Sequence, residues 1–274
     1  MVWTTSRFDI DLARPQVMGI VNVTPDSFSD GGQFDSTATA LRHCEQLLGD
    51  GADILDIGGE STRPGSPAVS LEDELARVLP VLREAVKLGV PVSVDTYKPE
   101  VMQAALDLGA DIVNDIWALR RGNALAVVAA HARCGVCLMH MHRDPQTMQV
   151  APMDGDVVAP VLDFLRERGQ ALQDLGVAAT RITVDPGIGF GKTVAQNFSL
   201  LARQRALVAL DYPILAGWSR KSSLGAATGR ERPQDRVSAS VAAALLAVER
   251  GATIVRVHDV REMVDALAVW RAVN

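Results

Sequence analysis

The sequence predicts an α/β fold, a single-domain (β/α)8 TIM barrel, because short apolar runs alternate with helix-like segments along the whole chain. Nearly every run ends in a charged or amide residue. A parallel strand that is covered on both faces is hydrophobic throughout, so polar residues gathered at one end of each run indicate a shared rim. The apolar runs cover residues 17–23, 54–58, 92–95, 112–115, 136–140, 182–185, 214–217 and 254–259.

Chain length and the spread of polar residues favour a closed barrel over an open sheet. A barrel of this type needs about 250 residues, and the chain has 274. An open, doubly wound sheet would concentrate its ligand groups at one switch point between two strands, whereas here polar residues follow strands along the whole chain. We therefore expect one domain over residues 1–274, with the active site at the C-terminal ends of the strands.

The segments between the runs have the spacing of helices that bury one face. Leu71, Leu75, Val78 and Leu82 recur at intervals of three and four residues, which is the period of an amphipathic helix. Residues 158–165 repeat the pattern. Strand and helix thus alternate about eight times, and such alternation predicts a parallel sheet.

Composition excludes several classes of protein. The hydrophobic content of 48% and the charged content of 22% are those of a globular chain and not of a disordered one. A net charge of −6 argues against a nucleic-acid-binding surface. The longest apolar stretch, residues 241–248, is far shorter than the roughly 18 residues of a membrane span, so we expect a cytoplasmic protein.

Two cysteines admit two interpretations. Cys134 and Cys137 form a C-x-x-C pair ahead of His140 and His142, a composition seen in metal and redox sites. Cys137 lies inside an apolar run, however, and a free cysteine is usually a small buried hydrophobe. We favour burial, because the sequence has no second cysteine pair to complete a closed zinc site.

Polar residues that end the middle strands predict a site for a heterocycle. Asp95, Asn114 and Asp185 close the third, fourth and sixth apolar runs. Buried carboxylates are costly unless they are paired, so three such groups around one cavity suggest a ligand rich in N–H donors, such as a guanidine-like ring edge. Lys221, after the seventh run, is placed to donate to a ring carbonyl or nitrogen. Internal salt bridges are the alternative for any one of these residues.

A second group of residues suits an anionic ligand such as a diphosphate. Thr62 and Arg63 follow the second run within a glycine-rich loop and supply a hydroxyl and a forked cation. Arg256 and His258 alternate on the last strand, so both side chains point to one face. The last strand of a barrel lies beside the first, which brings Asn22 to the same place. Taken singly, each arginine could instead be a surface residue in a salt bridge.

Two loops carry a phenylalanine with no helix or strand to bury it. Phe28 lies in the turn-rich residues 24–32, which would serve either as a lid over a flat ligand or as an ordinary surface loop. Residues 185–193 resemble a phosphate-binding P-loop, but Pro186 stands where the first required glycine belongs. We expect the glycines of this segment to let Phe190 lie against a planar ligand instead.

These motifs together resemble the dihydropteroate synthase family, the pterin-binding enzymes of folate biosynthesis. The matching segments occur in order over almost the whole chain: residues 18–32, 58–65, 95, 114–115, 139–141, 185–192, 219–222 and 256–258.

The resemblance implies a transferase. Such an enzyme condenses 6-hydroxymethyl-7,8-dihydropterin diphosphate with 4-aminobenzoate to give 7,8-dihydropteroate and diphosphate. We expect a dissociative substitution at the pterin methylene carbon, since the ring can delocalise positive charge. The family also implies Mg²⁺ as a cofactor, a cytoplasmic homodimer, small-molecule substrates and a sulfonamide target.

The resemblance also implies a role for each site residue. The pterin would be bound by Asp95, Asn114, Asp185 and Lys221. The diphosphate would be bound by Asn22, Thr62, Arg63, Arg256 and His258, with Mg²⁺ near Asn22. The aminobenzoate pocket would be shaped by Phe28, Arg63, Pro64, Phe190 and Ser219. The catalytic set would be Asp30, Lys221, Arg256 and His258, with Asp30 nearest to the developing positive charge.

Two other functions share the barrel and the pterin-facing carboxylates. A corrinoid-linked pterin methyltransferase domain would need neither the lid of residues 24–32 nor the diphosphate group. A non-catalytic pterin-binding homologue should have lost residues of the loops or of the diphosphate group, and the sequence retains them.

Overall fold

The structure, a computed structural model, describes residues 1–24, 33–62 and 65–273, with side chains from residue 37 onward in the second stretch. An antiparallel hairpin of β1 (Val2–Thr4) and β2 (Asp9–Asp11) opens the chain. The strands that follow are β3 (Gln16–Asn22), β4 (Ile54–Gly58), β5 (Val92–Asp95), β6 (Ile112–Asp115), β7 (Gly135–Met139), β8 (Ile182–Asp185), β9 (Ile214–Ala216) and β10 (Ala252–Val257).

Strands β3 to β10 close into a parallel barrel in chain order, and β10 pairs with β3. In that closing pair Val255 lies opposite Val17 and Arg256 opposite Met18. The predicted (β/α)8 barrel is therefore confirmed. Each of the eight barrel strands overlaps a predicted apolar run, because strands that are buried on both faces are apolar along their length.

Helices surround the barrel and cover its outer surface. Within the described residues they are α1 (Gln33–Gly49), α2 (Leu71–Ala85), α3 (Pro99–Asp107), α4 (Ala124–Ala130), α5 (Val158–Gln173), α6 (Val194–Ala202), α7 (Ser222–Thr228), α8 (Val237–Glu249) and α9 (Val260–Arg271). The start of α2 shows the local cause: the Ser70 side chain accepts a hydrogen bond from the Asp73 backbone N–H at 3.1 Å. Such a cap satisfies a donor that the helix leaves free.

The hairpin closes the N-terminal end of the barrel. Trp3 is fully buried, and it packs with Ile10 and Leu12 against the inner side chains of the strands, among them Met18 and Ile54. The indole Nε1 donates to the backbone oxygen of Arg181 at 3.0 Å. This end of the barrel therefore has an apolar plug with its one indole donor satisfied.

The cysteines are buried and free. Cys137 is fully buried in β7, and burial raises the pKa of its thiol well above the ordinary value. Cys134 accepts from the Arg181 guanidinium at 3.3 Å. The described part of the chain contains no group of three His, Cys, Asp or Glu side chains with the geometry to hold a metal ion. Nor does any helix in it have the length and apolar character that crossing a membrane requires.

Candidate active site

A cavity of about 280 Å³ lies at the C-terminal ends of the strands, which is the end that the sequence predicts for the site. The structure brings together there every predicted site residue that it describes: Asn22, Thr62, Asp95, Asn114, Asp185, Phe190, Ser219, Lys221, Arg256 and His258. The remaining predicted residues, Phe28, Asp30, Arg63 and Pro64, lie outside the described residues.

The floor of the cavity is an ion-pair network centred on Arg256. Its Nε donates to Asp56 Oδ2 at 2.6 Å, and its Nη2 donates to Asp95 Oδ2 at 2.6 Å. Asn114 Nδ2 also donates to Asp56 Oδ2, at 3.2 Å. Arg256 therefore lies beside Asp95, which is expected to face the pterin, and it shares its charge between Asp95 and Asp56.

Burial and neighbouring charges shift the pKa values of Asp95 and Arg256. Desolvation raises the pKa of the Asp95 carboxyl, and Arg256 opposes that rise. Desolvation also disfavours the charged form of Arg256, but Asp56 and Asp95 outweigh it, so the pKa of the guanidinium is above its ordinary value. The side chains of Arg256 and Asp95 remain 22% and 13% exposed toward the cavity, which leaves both able to contact a ligand.

Asp56 is a residue of this floor that the sequence interpretation did not assign. It is fully buried, and it interrupts the otherwise apolar strand β4. A carboxylate within a buried strand needs a partner, and that interruption is the signal that marks Asp56. Its partner Arg256 lies 200 residues away in the sequence, so only the closed barrel reveals the pair.

The opposite wall carries Asp185 at the end of β8. Its Oδ1 accepts from the Gly187 backbone N–H at 2.7 Å, and its backbone oxygen accepts from His140 N at 2.9 Å. Burial raises the pKa of the Asp185 carboxyl, while the Gly187 hydrogen bond and then Lys221 lower it. Lys221 Nζ lies 4.4 Å from the centroid of the Phe190 ring, a cation–π contact that joins the two predicted residues.

Lys192 lies behind this wall. It ends the P-loop-like segment, yet it is only 2% exposed and contacts the protein interior. Its ammonium donates to the backbone oxygens of Gly187 and Phe190 and contacts His140 Nδ1. Desolvation is the main cause that lowers the pKa of Lys192, to about 7, and that of His140, to about 2. His140 is therefore a neutral imidazole.

The third side of the cavity holds hydroxyl and cationic groups. Ser219 Oγ lies 2.9 Å from His258 Nδ1 and accepts from the His258 backbone N–H at 3.0 Å. The Arg220 guanidinium forms two hydrogen bonds with Asp259, at 3.0 and 2.5 Å. The serine hydroxyl thus orients the imidazole, and the Arg220–Asp259 pair fastens the loop after β9 to the end of β10.

Glu60, at the edge of the cavity, was also not assigned a role from the sequence. Its carboxylate accepts from the Tyr97 hydroxyl at 3.0 Å and pairs with Lys98. Lys98 pairs with Glu74 of α2 as well. This network holds the start of the loop that carries Thr62 against the N-terminal end of α3.

Residues 18–258 match the family described as Pterin binding enzyme. The chain is 51% identical to the dihydropteroate synthase of Neisseria meningitidis serogroup B over 278 residues, covering all of this chain and 98% of that protein. It is 53% identical to Xanthomonas albilineans dihydropteroate synthase solved with 4-aminobenzoic acid, with a TM-score of 0.92 and coverage of 97% and 95% of the two chains. It is 54% identical to Burkholderia cenocepacia dihydropteroate synthase complexed with 7,8-dihydropteroate, with a TM-score of 0.90 and coverage of 99% of this chain and 96% of that chain. The chain therefore belongs to the pterin-binding enzymes and, among them, to the dihydropteroate synthase family.

Proposed function

We propose that the cavity condenses 6-hydroxymethyl-7,8-dihydropterin diphosphate with 4-aminobenzoate, giving 7,8-dihydropteroate and diphosphate. The observation that carries this proposal is the convergence of carboxylate and amide groups with cationic and hydroxyl groups in one cavity, in a chain of the dihydropteroate synthase family. The two groups match the two chemically different parts of one substrate.

The pterin occupies the side formed by β5, β6 and β8. The carboxylates of Asp95 and Asp185 accept from the N–H groups of the pterin ring, and Asn114 offers both a donor and an acceptor. Lys221 donates to a ring carbonyl or nitrogen. Because the carboxylates are held by Arg256 and by the Gly187 backbone N–H, the donors of the ring meet acceptors whose positions are already set.

The diphosphate lies between β10, β3 and the loop after β4. Asn22, Thr62, Arg63, Arg256 and His258 bind it. Ser219 holds His258 through contacts with the ring Nδ1 and with the backbone N–H, which fixes the orientation of the imidazole at the cavity. Arg256 lies between the two parts of the site and can therefore contact the ring and its leaving group together.

Mg²⁺ fits this side of the cavity. Mg²⁺ prefers hard oxygen ligands and is commonly held by one or two protein oxygens together with phosphate oxygens of the substrate. The Asn22 side-chain carbonyl at the end of β3 is such an oxygen. When bound, the ion would neutralise charge on the leaving diphosphate.

The reaction breaks the bond between the pterin methylene carbon and the diphosphate oxygen, and the electron pair leaves with the diphosphate. The amine nitrogen of 4-aminobenzoate forms the new bond to that carbon and then loses a proton. The protein stabilises the leaving group, positions the amine and excludes water from the cation-like carbon. Phe190 and Ser219 line the aminobenzoate side of the cavity. Phe28, Arg63 and Pro64 are predicted to complete that pocket, and Asp30 is predicted to act nearest to the developing cation.

The family also leads us to infer a cytoplasmic homodimer. Light scattering on a gel-filtration column tests the assembly, and a mass of one 29.3 kDa chain would contradict it. Fractionation of the producing cells tests the location.

A turnover assay tests the proposed reaction. Purified protein with the dihydropterin diphosphate, 4-aminobenzoate and Mg²⁺ should release diphosphate and dihydropteroate in equal amounts, and omission of 4-aminobenzoate should abolish dihydropteroate. Tight binding of the pterin without either product would instead favour a non-catalytic pterin-binding homologue.

A binding comparison tests the diphosphate assignment. His258→Gln should weaken binding of the dihydropterin diphosphate about tenfold, the loss expected when a charge-assisted hydrogen bond is removed, and should leave binding of free dihydropterin unchanged. Calorimetric titration of both ligands decides the question, and equal losses for the two would contradict the role of His258.

A further inference from the structure

The ammonium of Lys192 is enclosed by acceptors from one turn of the chain and from the residue after β7. Nζ lies 2.8 Å from Gly187 O, 3.1 Å from Phe190 O and 3.0 Å from His140 Nδ1. His140 O is a fourth acceptor, at 3.4 Å. Because an ammonium has only three N–H donors, these acceptors use all of its hydrogen-bonding capacity. A residue that is 2% exposed and fully occupied in this way cannot reach a ligand in the cavity.

The turn over Lys192 is packed directly on the chain that follows β7. Gly187 and Gly191 have φ values of +68° and +70°. A Cβ on Gly187 would overlap His140 O, and a Cβ on Gly191 would lie 2.6 Å from His142 Cβ. The two backbones therefore touch, and the ammonium of Lys192 joins them where they meet.

The same turn presents one wall of the cavity. Phe190 lies in it, 8% exposed, and its backbone N–H donates to Gly187 O at 3.1 Å. Lys221 rests on this wall, with Nζ 4.4 Å from the Phe190 ring and Cδ 3.3 Å from the position of a Cβ on Gly189. Any displacement of the turn would move Phe190 and Lys221 together.

We propose that Lys192 is a positioning residue that holds the Phe190 wall of the aminobenzoate pocket by tying the turn of residues 187–190 to His140. This inference rests on the proposed function, because it uses the assignment of that wall to aminobenzoate. His140 accepts at Nδ1 from the ammonium and so carries its proton on Nε2. Lys192, which lies in the segment that only partly matches a P-loop, thus binds its own loop.

Two variants of Lys192 separate hydrogen bonding from charge. Lys192→Met removes both the donors and the charge, whereas Lys192→Gln removes the charge and keeps an amide that can donate to the carbonyls. We expect Lys192→Met to raise KM for 4-aminobenzoate about tenfold and Lys192→Gln about threefold or less, on the scale of one lost charge-assisted hydrogen bond. Any change in KM for the dihydropterin diphosphate, caused by the lost charge near Asp185, should be equal in both.

One control variant tests the loss of a lysine as such, and a second pair of variants tests the same contact if Lys192→Met does not fold. Lys87→Met removes an exposed lysine that pairs with Glu84 and should change neither KM. If Lys192→Met does not fold, His140→Leu removes one acceptor and His140→Gln retains one, and KM for 4-aminobenzoate should rise only in the first.

Equal KM values for 4-aminobenzoate in Lys192→Met, Lys192→Gln and the wild type would overturn the positioning role. A proportional rise of both KM values, the same in the two variants, would also overturn it and indicate a structural role alone. A wild type that makes no dihydropteroate would overturn the proposed function itself, so the two failures are distinguishable.

Discussion

The two ends of the barrel are made by the same eight strands but differ in chemistry. At the N-terminal end the strands meet an apolar plug in which Trp3 is fully buried and its indole N–H is satisfied. At the C-terminal end they present Asp95, Asp185 and Arg256 around a cavity, and the fully buried Asp56 pairs with Arg256. Burial of apolar surface stabilises the fold, whereas burial of charge costs stability unless partners compensate. The first end is therefore built for stability and the second for binding.

The carboxylates at the C-terminal end of the barrel are also incompletely hydrogen-bonded and desolvated. Asp56 Oδ1 is one of several buried side-chain atoms that have no hydrogen-bond partner among the described residues, and it belongs to a carboxylate. Burial also raises the pKa of both Asp95 and Asp185. Unsatisfied and desolvated groups are retained in proteins where function requires them. Substitutions at the two ends should consequently separate stability from activity.

The largest effect should come from the plug. Trp3→Ala leaves a cavity among the inner side chains and should lower the free energy of unfolding by about 3–5 kcal/mol, with both KM values unchanged. Urea unfolding and steady-state kinetics measure the two quantities. Trp3→Phe, which keeps much of the packing, should lose less. A shift in either KM would mean that the two ends are not separate.

The second-largest effect should be a loss of activity when a carboxylate of the cavity is replaced. Asp185→Asn replaces an acceptor-only carboxylate with an amide, so one pterin N–H would meet a donor. We expect kcat/KM for the dihydropterin diphosphate to fall about a hundredfold, corresponding to the loss of a hydrogen bond to a charged group. Asp163→Asn, on the exposed face of α5, is the matched control and should retain full activity.

A pH effect of intermediate size should come from His140. Burial, followed by the charge of Lys192, lowers its pKa from 6.5 to about 2, so below pH 6.5 the unfolded chain binds a proton that the folded chain does not. Stability contributed by neutral His140 is thus present above pH 6.5 and is lost as the pH falls, by up to about 1.4 kcal/mol per pH unit.

The measurement is urea unfolding of the wild type and of His140→Gln between about pH 4 and 6. Lys192, which contacts His140 and has a pKa lowered to about 7, stays protonated in that range. Asp95, Asp115 and Asp185, whose pKa values burial raises, change stability in the opposite direction, but they do so in both proteins. The difference between the two curves isolates His140. Parallel curves would show that the imidazole is not held neutral.

The smallest effect should come from the hydroxyl that orients His258. Ser219→Ala removes a hydrogen bond worth about 1 kcal/mol, so kcat/KM should fall about fivefold. Ser70→Ala removes a serine of comparable hydrogen bonding that caps α2; it should lower stability and leave kcat/KM unchanged. Similar kinetics for the two variants would contradict the role of Ser219.

The barrel and most of its rim were predictable from the sequence. Parallel strands that are buried on both faces appear there as an apolar run followed by a polar residue. Asp95, Asn114 and Asp185 were assigned to the cavity on that basis alone, and the structure places them there. The hairpin was not predicted, since β1 and β2 have three residues each and no hydrophobic period. Trp3 is buried by tertiary packing, which a local pattern does not contain.

Partners that are distant in sequence account for the rest of what was missed. Asp56 was visible as a carboxylate in an apolar run, but its pairing with Arg256 depends on barrel closure. Lys192 was assigned no role, since Pro186 breaks the P-loop pattern around it, and only the packing of residues 187–191 on His140 shows that it turns inward. The roles of Phe28, Asp30, Arg63 and Pro64, and that of Mg²⁺, stay predictions.

The free energy of unfolding of Asp185→Asn tests most directly the claim that this end of the barrel gives up stability for binding. Because burial raises the pKa of Asp185, its ionised form is a net cost to the fold near neutral pH. A neutral amide of the same shape can still accept from the Gly187 N–H. We expect Asp185→Asn to be at least as stable as the wild type while its activity falls. A loss of stability comparable to the loss of activity would contradict that claim.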